Sequence, residues 1–197
     1  MNDESLAKLR QLPWDEVRGR AALTSGIAAI ANVTDASTAM QVLEDAGFLT
    51  EAAKVMAHAL PKRESVWWAC MCARHTAPPD LPGSDLAAVS AAEGWVRRQT
   101  DENRRQAFAH AQDANFGTAE AWAAVAAFWS GDSMSPVDQP KTPPAPHLAG
   151  TAVIGSVTLA AVRNFPERRD ARLRHFLASG REIAAGGAGR LPVEGSA

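Results

Sequence analysis

The sequence predicts an all-α protein: a single domain of about seven to nine packed helices. Three observations lead there. Alanine, the strongest helix former, occurs 41 times in 197 residues, while tyrosine is absent and β-branched residues are thinly spread. Apolar residues recur at helical spacing between caps and breakers, and no segment alternates apolar and polar as a strand would. The connections are mostly short, which favours helical hairpins packed side by side.

Asn2 or Asp3 caps a short first helix that ends near Gln11, ahead of Pro13. Trp14 to Val33 reads as one helix or two short ones, because Thr24, Ser25 and Gly26 interrupt an alanine-rich stretch. Asp35 or Ser37 caps the next helix, which carries Met40, Leu43 and Ala46 on one face and stops at Gly47. Thr50 opens a helix with Ala53, Val55, Met56 and Leu60. Pro61, suited to a first helical turn, starts another that runs to about His75 and stops before Pro78-Pro79. Pro82, Gly83 and Ser84 mark a turn and a cap for a helix from Asp85 to about Gln99. Asp101 begins a helix to about Ala114, and Gly117 or Thr118 begins one to Ser130. Residues 131–146 hold five of the twelve prolines and predict a long loop, extended in part. His147 to Asn164 makes a buried helix, and Pro166 opens an arginine-rich helix to about Ala185. The organisation expected is an N-terminal helical extension over 1–34, a helical domain over 35–186 and a disordered tail over 187–197. Trp68, Trp95 and Trp122 are spaced 27 residues apart, but known helical repeats have longer periods of roughly 34 to 47 residues and the flanking residues match poorly, so a helical-hairpin repeat is the lesser reading.

Charge and composition exclude several classes. The net charge of −2 does not suit a general nucleic-acid binder. Two cysteines are too few for a disulfide-stapled secreted domain. The acidic start, Met-Asn-Asp-Glu, has no apolar region typical of a signal peptide. The longest apolar stretch, Leu148 to Val162, is diluted by Gly150, Thr151, Gly155, Ser156 and Thr158, and falls short of the roughly 20 residues a membrane span needs. A cytoplasmic location is expected, with no membrane span; the oligomeric state is left open. The stretch from residue 146 carries seven arginines against four acidic residues, and reads first as a solvated basic helix face.

No residue set asks for catalysis. Walker loops, dinucleotide fingerprints, nucleophile elbows and His-Glu-x-x-His spacings are missing from the sequence. Cys70, Cys72 and His75 lack the paired spacing of a structural zinc site, and read as small buried cysteines beside a histidine. No cofactor and no metal ligand is therefore expected. Val66, Trp67, Trp68, Cys70, Met71 and Cys72 surround their helix, which places it in the middle of the domain. Trp67 and Trp68 point about 100° apart, so both cannot face one neighbour. The pair reads first as core packing and second as an aromatic anchor for a partner. In the second reading, Arg63 and Arg74 share the face of Trp67 and stack on its ring. Trp129 and the prolines Pro143 and Pro144 are further candidate partner contacts, as a stiff segment beside aromatic surface.

One stretch, Leu60-Pro-Lys-Arg-Glu-Ser-Val-Trp-Trp-Ala-Cys-Met-Cys-Ala-Arg74, resembles the central signature of an uncharacterised all-helical family of bacterial proteins. Ala92-Glu-Gly-Trp95, Ala121-Trp122 with Phe128-Trp-Ser-Gly-Asp132, and Pro146-His-Leu148 with the arginine-rich helix from Arg168 to Arg181 are similar in order and spacing. The resemblance spans roughly residues 35–186. It implies association with type VI secretion gene clusters and an accessory or adaptor role, and it supplies no catalytic residues. The expected function is thus a non-catalytic cytoplasmic adaptor that binds another protein, a secretion component or cargo. The alternative is an enzyme or small-molecule binder with a pocket between helices, in which His110, Asp113 and the tryptophans are the first suspects.

Overall fold

The structure is a computed structural model and describes residues 3–195. Among these residues there are nine α-helices and no strand. They are α1 (Trp14–Ala21), α2 (Ala36–Asp45), α3 (Leu49–Ala59), α4 (Lys62–His75), α5 (Gly83–Arg97), α6 (Asp101–Asp113), α7 (Ala119–Trp129), α8 (Leu148–Val162) and α9 (Arg169–Ala184). Short 3-10 turns cover Asp3–Arg10, Ile27–Ile30 and Pro166–Arg168. The stretch from Trp14 to Val33 thus resolves into two short pieces. At the break between them, Gly26 adopts φ +67°, and a Cβ there would lie 2.6 Å from Leu43 Cδ2. Glycine supplies both the positive φ and the close approach.

Several helix starts follow the capping chemistry. Asp35 accepts from Thr38 N at 2.9 Å and opens α2. Thr100 caps α6 through Asn103 N, and Thr118 caps α7 through Ala121 N. Others begin without a capping side chain. Pro82 rather than Ser84 precedes α5, Pro61 precedes α4, and His147 precedes α8.

Helix α4 lies at the centre, packed by α3, α5, α7, α8 and α9. Its Trp68 is fully buried and donates to Phe176 O at 2.7 Å, which fastens α9 to the middle of the bundle. Around it stand the hairpins α2–α3, α5–α6 and α7–α8. The apolar α8 passes beneath α7, α4 and α3, as a helix hydrophobic on every side requires. The tryptophan spacing does not mark a hairpin repeat. Trp68, Trp95 and Trp122 fall on α4, α5 and α7, so one interval advances by one helix and the other by two.

The arginine-rich end departs most from expectation. Arg172, expected on the solvated side of α9, is 3% exposed. It donates to Arg163 O at 2.6 Å and Ala161 O at 3.1 Å, satisfying carbonyls at the C-terminal end of α8, and it forks onto Glu194. Arg181 pairs with Glu44 of α2. Arg163 forks onto Glu120 of α7. These arginines join elements rather than face water. The segment from Gly187, expected to be disordered, lies against α4 and α9. Ala188 O accepts from Trp67 Nε1 at 2.7 Å, Gly189 O from Ser179 Oγ at 2.6 Å, and His75 O from Glu194 N at 2.7 Å. Residues 196 and 197 lie outside the described part.

No single helix among the described residues is long and apolar enough to cross a membrane.

Candidate functional site

Among several concave regions of the described residues, two hold the half-buried tryptophan and the buried His58. The first surrounds Trp67. Of the tryptophan pair, Trp68 is in the core while Trp67 is half-buried, its ring lining a groove of about 330 Å³. The other walls are Lys8 and Glu64, Arg63, Val96 with Arg97 at the end of α5, and Gly186 to Ala188 after α9. Lys8 and Arg63 stand 3.2 Å and 3.6 Å from Glu64, so one carboxylate serves two cations and the groove keeps a positive excess. Arg63 does not stack on Trp67. Its Nε donates to Val96 O at 2.8 Å, closing the C-terminus of α5. Arg74 lies outside the groove, forked onto Glu93 and reaching Ser90, and does not stack on Trp67 either. The Glu93 carboxylate raises the Arg74 pKa further. The structure therefore unites Arg63 with Trp67 and separates both from Arg74.

Trp129, Pro143 and Pro144 form no part of this groove. Trp129 is half-buried at the end of α7, its ring 6.3 Å from that of Trp122 and edge-on to it. The loop after it is only partly extended. Residues 133–142 curl around Ser133, whose Oγ accepts from Ser135 N and Thr142 N, and Met134 N donates to Thr142 O at 2.8 Å. Arg105 ties the loop to α6 through Ser135 O at 2.7 Å. Pro143 is exposed and Pro144 half-buried on the return to α8.

The second region is a cavity of about 310 Å³ where α3 turns into α4. These two helices touch little beyond their shared corner, and the wedge between them is closed by Gln11, Leu12 and Arg20 on one side and the first turn of α8 on the other. His58 lines it, 6% exposed and without a hydrogen bond among the described residues. Its ring lies so close to Gly150 that a Cβ there would sit 2.3 Å from Nδ1. Burial, with the nearby charges of His147 and Arg20, pushes the His58 pKa down to about 4. Burial and Arg20 likewise lower that of Lys62, which also lines the cavity.

The remaining suspects assemble no chemistry. His110 and Asp113 stand 3.7 Å apart on the surface of α6 and line neither region. Cys70 and Cys72 are fully buried free thiols, and burial raises both pKa values. No group of three or more His, Cys, Asp or Glu among the described residues is placed to hold a metal ion.

Residues 39–184 match the sequence model of DUF6931, a family of unknown function. No match is found among curated proteins or among solved structures.

Proposed function

This chain belongs to the DUF6931 family of unknown function, and on that premise we propose that it is a non-catalytic accessory protein that holds another protein. The observation that carries this reading is the half-buried indole of Trp67 in a groove lined by Lys8, Arg63 and Arg97, with Glu64 the one carboxylate in the lining and Glu93 reaching Arg97 at 3.8 Å from outside it. Tryptophan and arginine are enriched among the few residues that carry most of the binding energy at protein interfaces. Its volume of about 330 Å³ suits an inserted apolar side chain, and the cationic rim suits acidic flanking residues on the partner. The indole N–H is already engaged by Ala188 O, so the ring offers its apolar surface without a polar group left to desolvate.

A bacterial setting beside a type VI secretion machine, with a secretion component or cargo as partner, rests on the resemblance spanning roughly residues 35–186, and a cytoplasmic location on the acidic, non-apolar start of the sequence. The test is affinity capture from the native host with mass spectrometry, comparing the natural chain with Trp67→Ala and Arg97→Glu. The reading expects a secretion component or cargo captured by the natural chain and lost with both variants at unchanged folding. Capture of the same proteins by all three chains counts against the groove. Recovery of no secretion component or cargo counts against the setting. Replacing 133–146 by a Gly/Ser linker of equal length gives the second arm: loss of capture at unchanged melting temperature assigns the loop a contact role.

A further inference from the structure

The cavity at the α3–α4 corner has three properties that point to one class of ligand. Two helix N-termini line it. Pro61 and Lys62 open the 14-residue α4, and Ala149 and Gly150 belong to the first turn of the 15-residue α8. Neither start has a capping side chain. The first N–H groups of a helix have no intrahelical acceptor, and the aligned peptide dipoles add partial positive charge there. Side-chain charge has the same sign: Arg20 and Lys62 line the cavity, and no carboxylate does. Arg20 is paired outward with Glu16 at 2.7 Å, while Lys62 makes only a long contact to Ser130 O at 3.4 Å.

The third property is His58. It is buried in the wall and has no hydrogen-bond partner among the described residues. Buried polar rings are normally satisfied, so an unpartnered one beside two uncapped helix starts marks the place where an acceptor belongs. The charged groups facing it are all cationic when ionised: Arg20 from α1, Lys62 from α4 and His147 ahead of α8. The cavity is larger than a bare oxyanion, and Leu12, Leu60 and Val153 give it an apolar side.

We propose that this cavity binds a phosphate group, free or as a small monoester, with its oxygens on the N-termini of α4 and α8, on Lys62 and on His58, and any organic body against Leu12 and Val153. Bound phosphate draws a proton onto His58, so binding and the charge of His58 are coupled. The site is separate from the Trp67 groove, and its test is independent of the partner-binding reading.

The experiment is NMR titration of the histidine ring resonances of the full chain with inorganic phosphate, at constant ionic strength held by chloride. His58 is assigned from His58→Asn. The expected result is a saturable shift of His58 with half-saturation at or below about 1 mM and a rise in its pKa. Arg20→Gln, at a half-buried position, and Lys62→Gln, at an exposed one, are expected to weaken binding by about threefold each with the fold intact by circular dichroism. Butyl phosphate separates the two sources. Tighter binding than inorganic phosphate assigns a monoester, and equal binding assigns the free ion. The proposal is overturned if His58 shows no saturable shift up to about 20 mM phosphate. It is overturned equally if acetate acts as strongly, or if both the Arg20 and Lys62 variants titrate like the natural chain.

Discussion

Replacing Arg163 by methionine, Glu120 by glutamine, and both together measures how the α7–α8 hairpin is closed at the end opposite its long loop. Glu120 is 0% exposed in the first turn of α7, and Arg163 follows α8. They meet through two parallel bonds, 2.9 Å and 2.5 Å. Arg163→Met strands a buried carboxylate, and losing one partner of a buried pair costs about 3–5 kcal/mol. The helix N-terminus beside Glu120 offsets part of that, which places the expected loss near 3 kcal/mol. Glu120→Gln strands a guanidinium that is 14% exposed and still reaches Ala73 O, so about 1–2 kcal/mol is expected. The double variant buries neither charge unpaired. Its loss is expected near 2–3 kcal/mol, a coupling of about 2 kcal/mol rather than additivity. The assay is urea unfolding at pH 7 with linear extrapolation, backed by melting temperature, where Arg163→Met is expected to lose about 6–12 °C. A coupling below about 0.5 kcal/mol, or an Arg163→Met loss under about 1 kcal/mol, refutes the reasoning.

His58 makes stability depend on pH. The folded chain keeps it neutral to about pH 4, whereas the unfolded chain protonates it near 6.5, so the folded state binds fewer protons between those values. Stability therefore falls as pH drops from 6.5 to 4, by at most about 3 kcal/mol, in buffer free of phosphate and sulfate. The difference between natural chain and His58→Asn shrinks over that window; a constant difference contradicts the assignment. Cys70 and Cys72 are expected to resist a thiol reagent at pH 8 until urea unfolds the chain, since both are buried and their thiolates are disfavoured; stoichiometric labelling within seconds of mixing argues otherwise. Ending the chain after Gly186 removes Glu194, the partner of buried Arg172, and uncovers Trp67. The outcome expected is a loss of about 3 kcal/mol with a red-shifted tryptophan emission, and unchanged emission shows that the segment does not cover the ring.

Helix class, order and most boundaries were legible in the amino-acid sequence because they follow from local chemistry. Alanine content, the caps at Asp35 and Thr118, and the prolines at 61 and 166 act within a turn or two of where they stand. The central position of α4 was legible as well, from apolar residues on every side. What local chemistry does not contain is the pairing of distant charges. Arg172, Arg163 and Glu120 have the residue types of a solvated face, and they are buried because each meets an opposite charge or a free carbonyl from another element. The segment after Gly186 has the composition of a loose tail, yet Arg172, Trp67 and Ser179 give it backbone and carboxylate partners far away in sequence. Trp67 and Trp68 are adjacent and chemically identical, so only the placement of α9 and its continuation decides which is enclosed. The cavity at His58 left only the absence of a capping side chain before Lys62 and a glycine at 150 as traces. Four helices, the first and last of them more than a hundred residues apart, must converge before one unpartnered ring, two helix starts and two cations share a space, and that convergence is a property of tertiary packing alone.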